Sequence, residues 1–189
     1  IGEIFHNRNY KVDLENPREV KFYNLQGKSF SNIFQAELNV EPIKKLELRL
    51  AYRYFDVKTT YSGNLLQRPL IATNRAIAKL AYATAGRKFD YTFNYNGKKR
   101  IPGTETNPVQ YQRGHTSPDF VLMNAQISKT VGKKHPMDFY IGGENLTNYF
   151  QKNVIVAADQ PFSPYFDASL VWGPVTGRMF YAGWRFKLK

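Results

Sequence analysis

The sequence contains no cysteine. Disulfides, thiol catalysis and thiolate-ligated zinc are therefore excluded, while nothing follows about compartment. It also lacks any run approaching the roughly 18 apolar residues that a membrane-spanning helix needs, and its mean hydropathy is −0.50. A helical membrane protein is excluded. A barrel is not, because alternating strands average their two faces to a polar-looking value. Acidic residues are scarce: 15 Asp and Glu stand against 27 Lys and Arg, a formal net charge of +12. An excess of this size, with a pI near 9.8, calls for a polyanionic neighbour, nucleic acid or the phosphates of a membrane surface. No basic segment followed by an apolar one opens the chain, so a mature, truncated or cytosolic form is expected. The three histidines, His6, His115 and His135, have no ligand spacing between them, so neither a metal site nor a cofactor is expected. No phosphate-cradling glycine loop or nucleophile elbow is present, and no enzymatic chemistry is expected.

Aromatic residues are abundant, with 13 Tyr and 14 Phe in 189 residues. Both favour strands, and in membrane barrels they collect where hydrocarbon meets headgroups. The stretch KLELRLAYRYFDV (45–57) alternates almost without error: Leu46, Leu48, Leu50, Tyr52 and Tyr54 on one parity, Glu47, Arg49, Ala51 and Arg53 on the other. Side chains of a strand point to opposite faces with period two, so one face is apolar and the other charged. The same pattern recurs in SNIFQAELNVEP, KFDYTFNYNG, DFVLMNAQISKTVG, PMDFYIGGEN and RMFYAGWRFKLK, more weakly in TNRAIAKLAYATAG, and NYKVDL offers one more strand. The alternation lasts nine to thirteen residues. A barrel strand needs about 9–11, against about five or six in an average soluble strand.

The connections alternate in length. Short ones read EPIKK (41–45), AGRK (85–88) and GKKHP (132–136), and long ones cover 16–29, 59–72, 101–118 and 149–177. Antiparallel strands joined this way gather the short turns at one end and the long loops at the other, the asymmetry of an outer-membrane barrel. The fold expected is all-β, an antiparallel transmembrane barrel sheet of about eight strands. Its lipid-facing row is Leu46, Leu48, Leu50, Phe93, Ile141, Phe180, Trp184 and Phe186. Its lumen-facing row is Glu37, Glu47, Arg49, Arg53, Asp90, Asn94, Gln126, Glu144 and Arg185. The basic pairs Lys44-Lys45, Arg87-Lys88 and Lys133-Lys134 are expected in short turns beside anionic headgroups. Lys98, Lys99 and Arg100 are expected on a solvated opposite rim, and no nucleic-acid partner is expected. Two rivals stay open: a passive porin or structural barrel, and a soluble basic β-sandwich binding nucleic acid or glycan.

GGENLTNYF (142–150) resembles the penultimate-strand motif of TonB-dependent outer-membrane receptors, and YAGWRFKL (181–188) resembles their closing strand. The segment 157–178 looks like the last extracellular loop of a Bacteroidetes-type branch, and 16–32 and 49–63 extend the likeness upstream. The resemblance implies that residues 1–189 are the C-terminal part of a barrel of about 22 strands, with the N-terminal plug domain and TonB box outside this chain. It implies active uptake of a scarce nutrient ligand across the outer membrane. The implied partners are outer-membrane lipid and lipopolysaccharide, the receptor's own plug and the TonB complex. Long loops would be extracellular and the C-terminus periplasmic. Receptors of this kind commonly end on an aromatic residue, whereas Leu188 and Lys189 follow here. The long segment 149–177 carries the expected ligand contacts Asp159, Phe162, Tyr165, Phe166, Asp167 and Trp172, since a proline-stiffened aromatic loop either packs on itself or has a function.

Overall fold

Residues with period-two alternation can satisfy their backbone groups only by pairing with neighbours, and they do so here in one antiparallel ladder. The computed structural model describes residues 11–13, 21–23, 26–61, 63–132 and 135–186, the first two segments by backbone alone. Two three-residue strands, β1 (Lys11–Asp13) and β2 (Lys21–Tyr23), pair only with each other. The main sheet comprises β3 (Ser29–Ile43), β4 (Leu46–Tyr61), β5 (Asn64–Gln67), β6 (Asn74–Thr84), β7 (Arg87–Asn96), β8 (Phe120–Val131), β9 (Met137–Glu144) and β10 (Met179–Phe186). Its order is β10-β9-β8-β7-β6-β4-β3, with β5 paired only to the far end of β4. The sheet therefore has eight strands, but the eighth is the short β5; the strand expected from NYKVDL lies apart as β1. His6, Lys133, Lys134 and the residues after Phe186 lie outside the described segments.

The turns follow local chemistry. Ala85 and Gly86 both have positive φ, 32° and 77°, which matches the twist that a two-residue hairpin requires. Arg87 and Lys88, expected in this turn, instead open β7, because Ala-Gly alone suffices to reverse the chain. At the other hairpin the ladder skips from Val40 to Ile43, a bulge that contains Pro42 and removes the need for its missing N–H. The segment 59–72, expected as a loop, is partly sheet: Thr59, Thr60 and Tyr61 continue β4 and pair with β5.

The cross-strand register sorts the side chains. Leu38, Leu50, Ala78, Phe93 and Met123 stand opposite one another from β3 to β8, and Ile127, Ile141 and Ala182 continue the face to β10. All eight residues of the expected lipid-facing row share this apolar face. All nine of the expected lumen-facing row share the opposite one. No leucine, isoleucine, phenylalanine or tryptophan of the apolar face is buried; Ile141, Phe180 and Trp184 remain 61%, 71% and 65% exposed. From Leu46 to Tyr54 this row rises about 27 Å along the strand, or about 20 Å of height at a tilt of about 40°.

Where β9 meets β10 the polar face is interlocked. Tyr181 stands opposite Gly142 and Tyr140 opposite Gly183, so each ring lies over a glycine of the neighbouring strand. The two rings are 6.3 Å apart, and the Tyr181 hydroxyl lies 3.1 Å from Gln126 Oε1. A Cβ at Gly142 would lie 2.5 Å from the Tyr181 ring and 2.9 Å from the Ala125 carbonyl oxygen. Gly142→Val is expected to cost about 1–3 kcal/mol by overpacking, read as a lower urea midpoint in detergent. Gly114→Val, where the nearest atom is 3.8 Å away, is expected to leave the midpoint unchanged.

Candidate functional site

The polar face carries a sparse lattice of exposed bonds. Glu37 accepts from Asn39 at 2.8 Å and pairs with Arg49 at 3.1 Å. Arg53 donates twice to Gln35 Oε1, Lys88 pairs with Asp90 at 3.1 Å, and Thr130 donates to Asp138 at 2.6 Å. Exposed pairs of this kind contribute little stability. They leave the face hydrophilic and wettable. The hollows of the sheet lie on this side: Asp90, Gln126, Ser128, Asp138, Tyr140 and Arg185 line one near the short turns, and Asn39, Glu47, Arg49 and Lys79 line another.

At the far end, the two longest connections fold together. Residues 97–119 contribute Ile101 and Tyr111, and residues 145–178 contribute Val156, Ala157 and Leu170, to one small buried cluster, with Tyr165 and Trp172 packed against it. It is the hydrophobic core cluster of the described residues, and it sits in connections rather than beneath the sheet. Gln151 is its polar key. Its Nε2 donates to the Leu170 carbonyl at 2.8 Å, and its Oε1 accepts from Trp172 N and Gly173 N at 2.8 and 3.1 Å. Tyr111 donates to Asp159 at 2.9 Å, and that carboxylate raises the phenol above the ordinary tyrosine range. Lys99 donates to the Trp172 carbonyl and lies 5.5 Å from the Phe120 ring centre. Burial, aided by the nearby charge of Arg75, lowers its pKa below the usual lysine range. Arg100 donates to the Gln67 carbonyl at 2.6 Å and covers Tyr61. Lys99 and Arg100 are thus loop fasteners, not the solvated rim expected of them, because two turns of other segments fold down onto them.

The six residues expected to contact ligand divide. Asp167 is buried, exchanging backbone bonds with Val156 and capping Ser169 N at 2.7 Å. Tyr165 and Trp172 pack on the cluster, and Phe166 is half-buried. Asp159 is exposed beside Tyr111, and Phe162 is 95% exposed at the outermost turn. The segment packs in part on itself and leaves Asp159 and Phe162 among its exposed residues.

The ENLTN stretch explains how so long a connection returns to the sheet. Asn145, with φ of 50°, donates to the carbonyls of Tyr149 and Thr176 at 2.7 and 3.1 Å and accepts from Tyr149 N at 3.1 Å. Its own N–H goes to Asn124 Oδ1, while Thr147 reaches the Val121 carbonyl and Asn148 accepts from Arg178 N. Residues 145–148 join β8, the end of β9 and the approach to β10. Residues that the sequence reading missed are Arg68, Arg75 and Phe55, grouped at the same end of the polar face. Their signal, two arginines about one strand apart beside an aromatic, is visible only once β4 and β6 are paired.

No family model matches the chain, and no curated protein matches it. Its structure is similar to that of the siderophore receptor PiuA from Acinetobacter baumannii, with a TM-score of 0.55 and 19% identity over 91% of this chain. The chain spans 23% of that receptor's length. At this identity the likeness shows the fold alone: the sheet is built as part of a β-barrel wall.

Asn145→Ala removes the side-chain partner of the half-buried Tyr149 carbonyl and N–H, at roughly 1–3 kcal/mol for each group cut off from water, while the exposed Thr176 carbonyl turns to solvent. Proteolysis within residues 149–177 is expected to quicken at least tenfold, measured by limited digestion in detergent. Lys152→Ala, at an exposed position outside the left-handed backbone region, is expected to change it little.

Proposed function

We propose that the chain is the C-terminal barrel portion of a TonB-dependent outer-membrane receptor of the Bacteroidetes type, which takes up a scarce nutrient ligand. The observation that carries this reading is the apolar face, bounded at its ends by charges such as Arg87 and Lys129 at one and Asp56 and Lys58 at the other. It runs across seven strands, is covered by no core among the described residues, and rises about 20 Å, most of an outer-membrane apolar band of about 25 Å. A soluble sandwich would lay a second sheet against that face. In this reading Leu46, Leu48, Leu50, Phe93, Ile141, Phe180, Trp184 and Phe186 meet lipid. Glu37, Glu47, Arg49, Arg53, Asp90, Asn94, Gln126, Glu144 and Arg185 meet water and a plug domain supplied by the preceding polypeptide.

The likeness to a siderophore receptor supports a plugged barrel, and the sorting of turns supports long loops outside and short turns in the periplasm. Ligand would bind among the outer loops, with Asp159 and Phe162 the displayed contacts. The TonB complex would then draw on inner-membrane energy to rearrange the plug. The wall itself performs no covalent step.

Spin labels at Leu48 and Leu50 of the complete polypeptide in lipid bilayers are expected to relax with lipid-dissolved oxygen, and a label at Arg49 with aqueous nickel. Inverted or uniformly shielded accessibility would remove the barrel reading. In planar bilayers the complete polypeptide is expected to show no steady open-channel current at rest; a persistent ohmic conductance would make it a porin instead.

A further inference from the structure

The long-connection end of the polar face holds an arrangement that the wall does not need. Arg53 and Arg75 stand directly opposite each other on β4 and β6, a like-charge pair that weakens a sheet unless something compensates. Both guanidiniums lie beside one ring, Phe55, at 5.7 and 5.9 Å from its centre. The backbone between β5 and β6 folds over the same end, with Leu70 at a φ of 61°, and brings Arg68 and Ile71 across a cleft. The cleft measures about 550 Å³. Its floor is Ile33, Phe55 and Val57, its hydroxyls come from Ser29, Ser31 and Thr59, and its charges are Arg68 and Arg75. No Asp or Glu lines it, and among the described residues neither Arg68 nor Arg75 has a carboxylate partner.

We propose that this cleft binds a small organic anion, a carboxylate or phosphate group carried on an apolar body. Guanidinium forks match the paired oxygens of either group. A cavity of this size with an apolar floor and few convergent polar groups has the proportions of a small-molecule site. The anion would sit between Arg68 and Arg75 and relieve the repulsion between Arg75 and Arg53, while its apolar body lies on Phe55. The proposal rests on the reading that the polar face lines a wet lumen, and it adds the chemical class of the ligand. It also gives the excess of basic residues a local purpose, since a cation-lined cleft concentrates anions from solution.

The test uses the complete polypeptide in lipid nanodiscs and fluorine NMR of 4-fluorobenzoate as probe, with 4-fluorobenzyl alcohol as the uncharged control. The benzoate resonance is expected to broaden beyond its value with empty discs, and the alcohol resonance is not. The double change R68Q/R75Q is expected to weaken benzoate binding at least tenfold, while K152Q, an exposed basic site elsewhere, leaves it unchanged. Absent benzoate broadening, equal broadening of the alcohol, or undiminished binding in R68Q/R75Q would each overturn the proposal. If the Leu48 and Leu50 labels still report lipid in that protein, only the anion site fails and the barrel reading stands.

Discussion

In the proposed reading, an antiparallel ladder that shows a hydrocarbon face to its surroundings imposes one demand: along that face the surroundings are lipid rather than water. Everything else in the structure is arranged around that demand. Between neighbouring strands the ladder uses up the backbone groups, so a medium without donors or acceptors is tolerated there, and the outer edges of β3 and β10 stay unpaired among the described residues. Polar side chains then have one side left to occupy, and they fill it without exception among the nine charged or amide positions that the alternation singled out. The ion pairs there are exposed and individually weak. Their collective effect is to make that side hydrophilic rather than to hold the sheet together.

Order at the far end of the sheet has a different source. Connections 97–119 and 145–178 are too long to be tight turns, and each alone has too few apolar residues for a core. Together they bury Ile101, Tyr111, Val156, Ala157 and Leu170. Gln151 satisfies the backbone inside that small cluster, and Asn145 satisfies the backbone at its root. An amide side chain suits both places because it donates and accepts at once.

The faces of the strands were legible in the amino-acid order because a period of two is a purely local signal. Leu48 and Arg49 declare their sides with no knowledge of any partner. The return of β4 into β5, the start of β7 at Arg87 and the shared loop cluster were not legible in this way. Tyr111 and Asp159 are 48 residues apart, and Lys99 and Trp172 are 73 apart. Contacts at such separations depend on how two connections happen to drape over each other. The basic triplet 98–100 shows the effect: charge alone assigns it to solvent, and packing turns two of its members inward. The ENLTN stretch was recognisable as a motif, but its work as a three-way fastener becomes clear only from the carbonyls it reaches.

The outermost strand β3 runs for fifteen residues, and among the described residues nothing pairs with its far side. Such a bare selvedge is a template on which any extended peptide can be woven. In the proposed barrel a further strand would border it; without one, this sheet would be prone to recruit copies of itself edge to edge. In that barrel the bordering strand would have to be in place by the time β3 forms, which would make assembly of the wall a matter of sequence in time as well as in space.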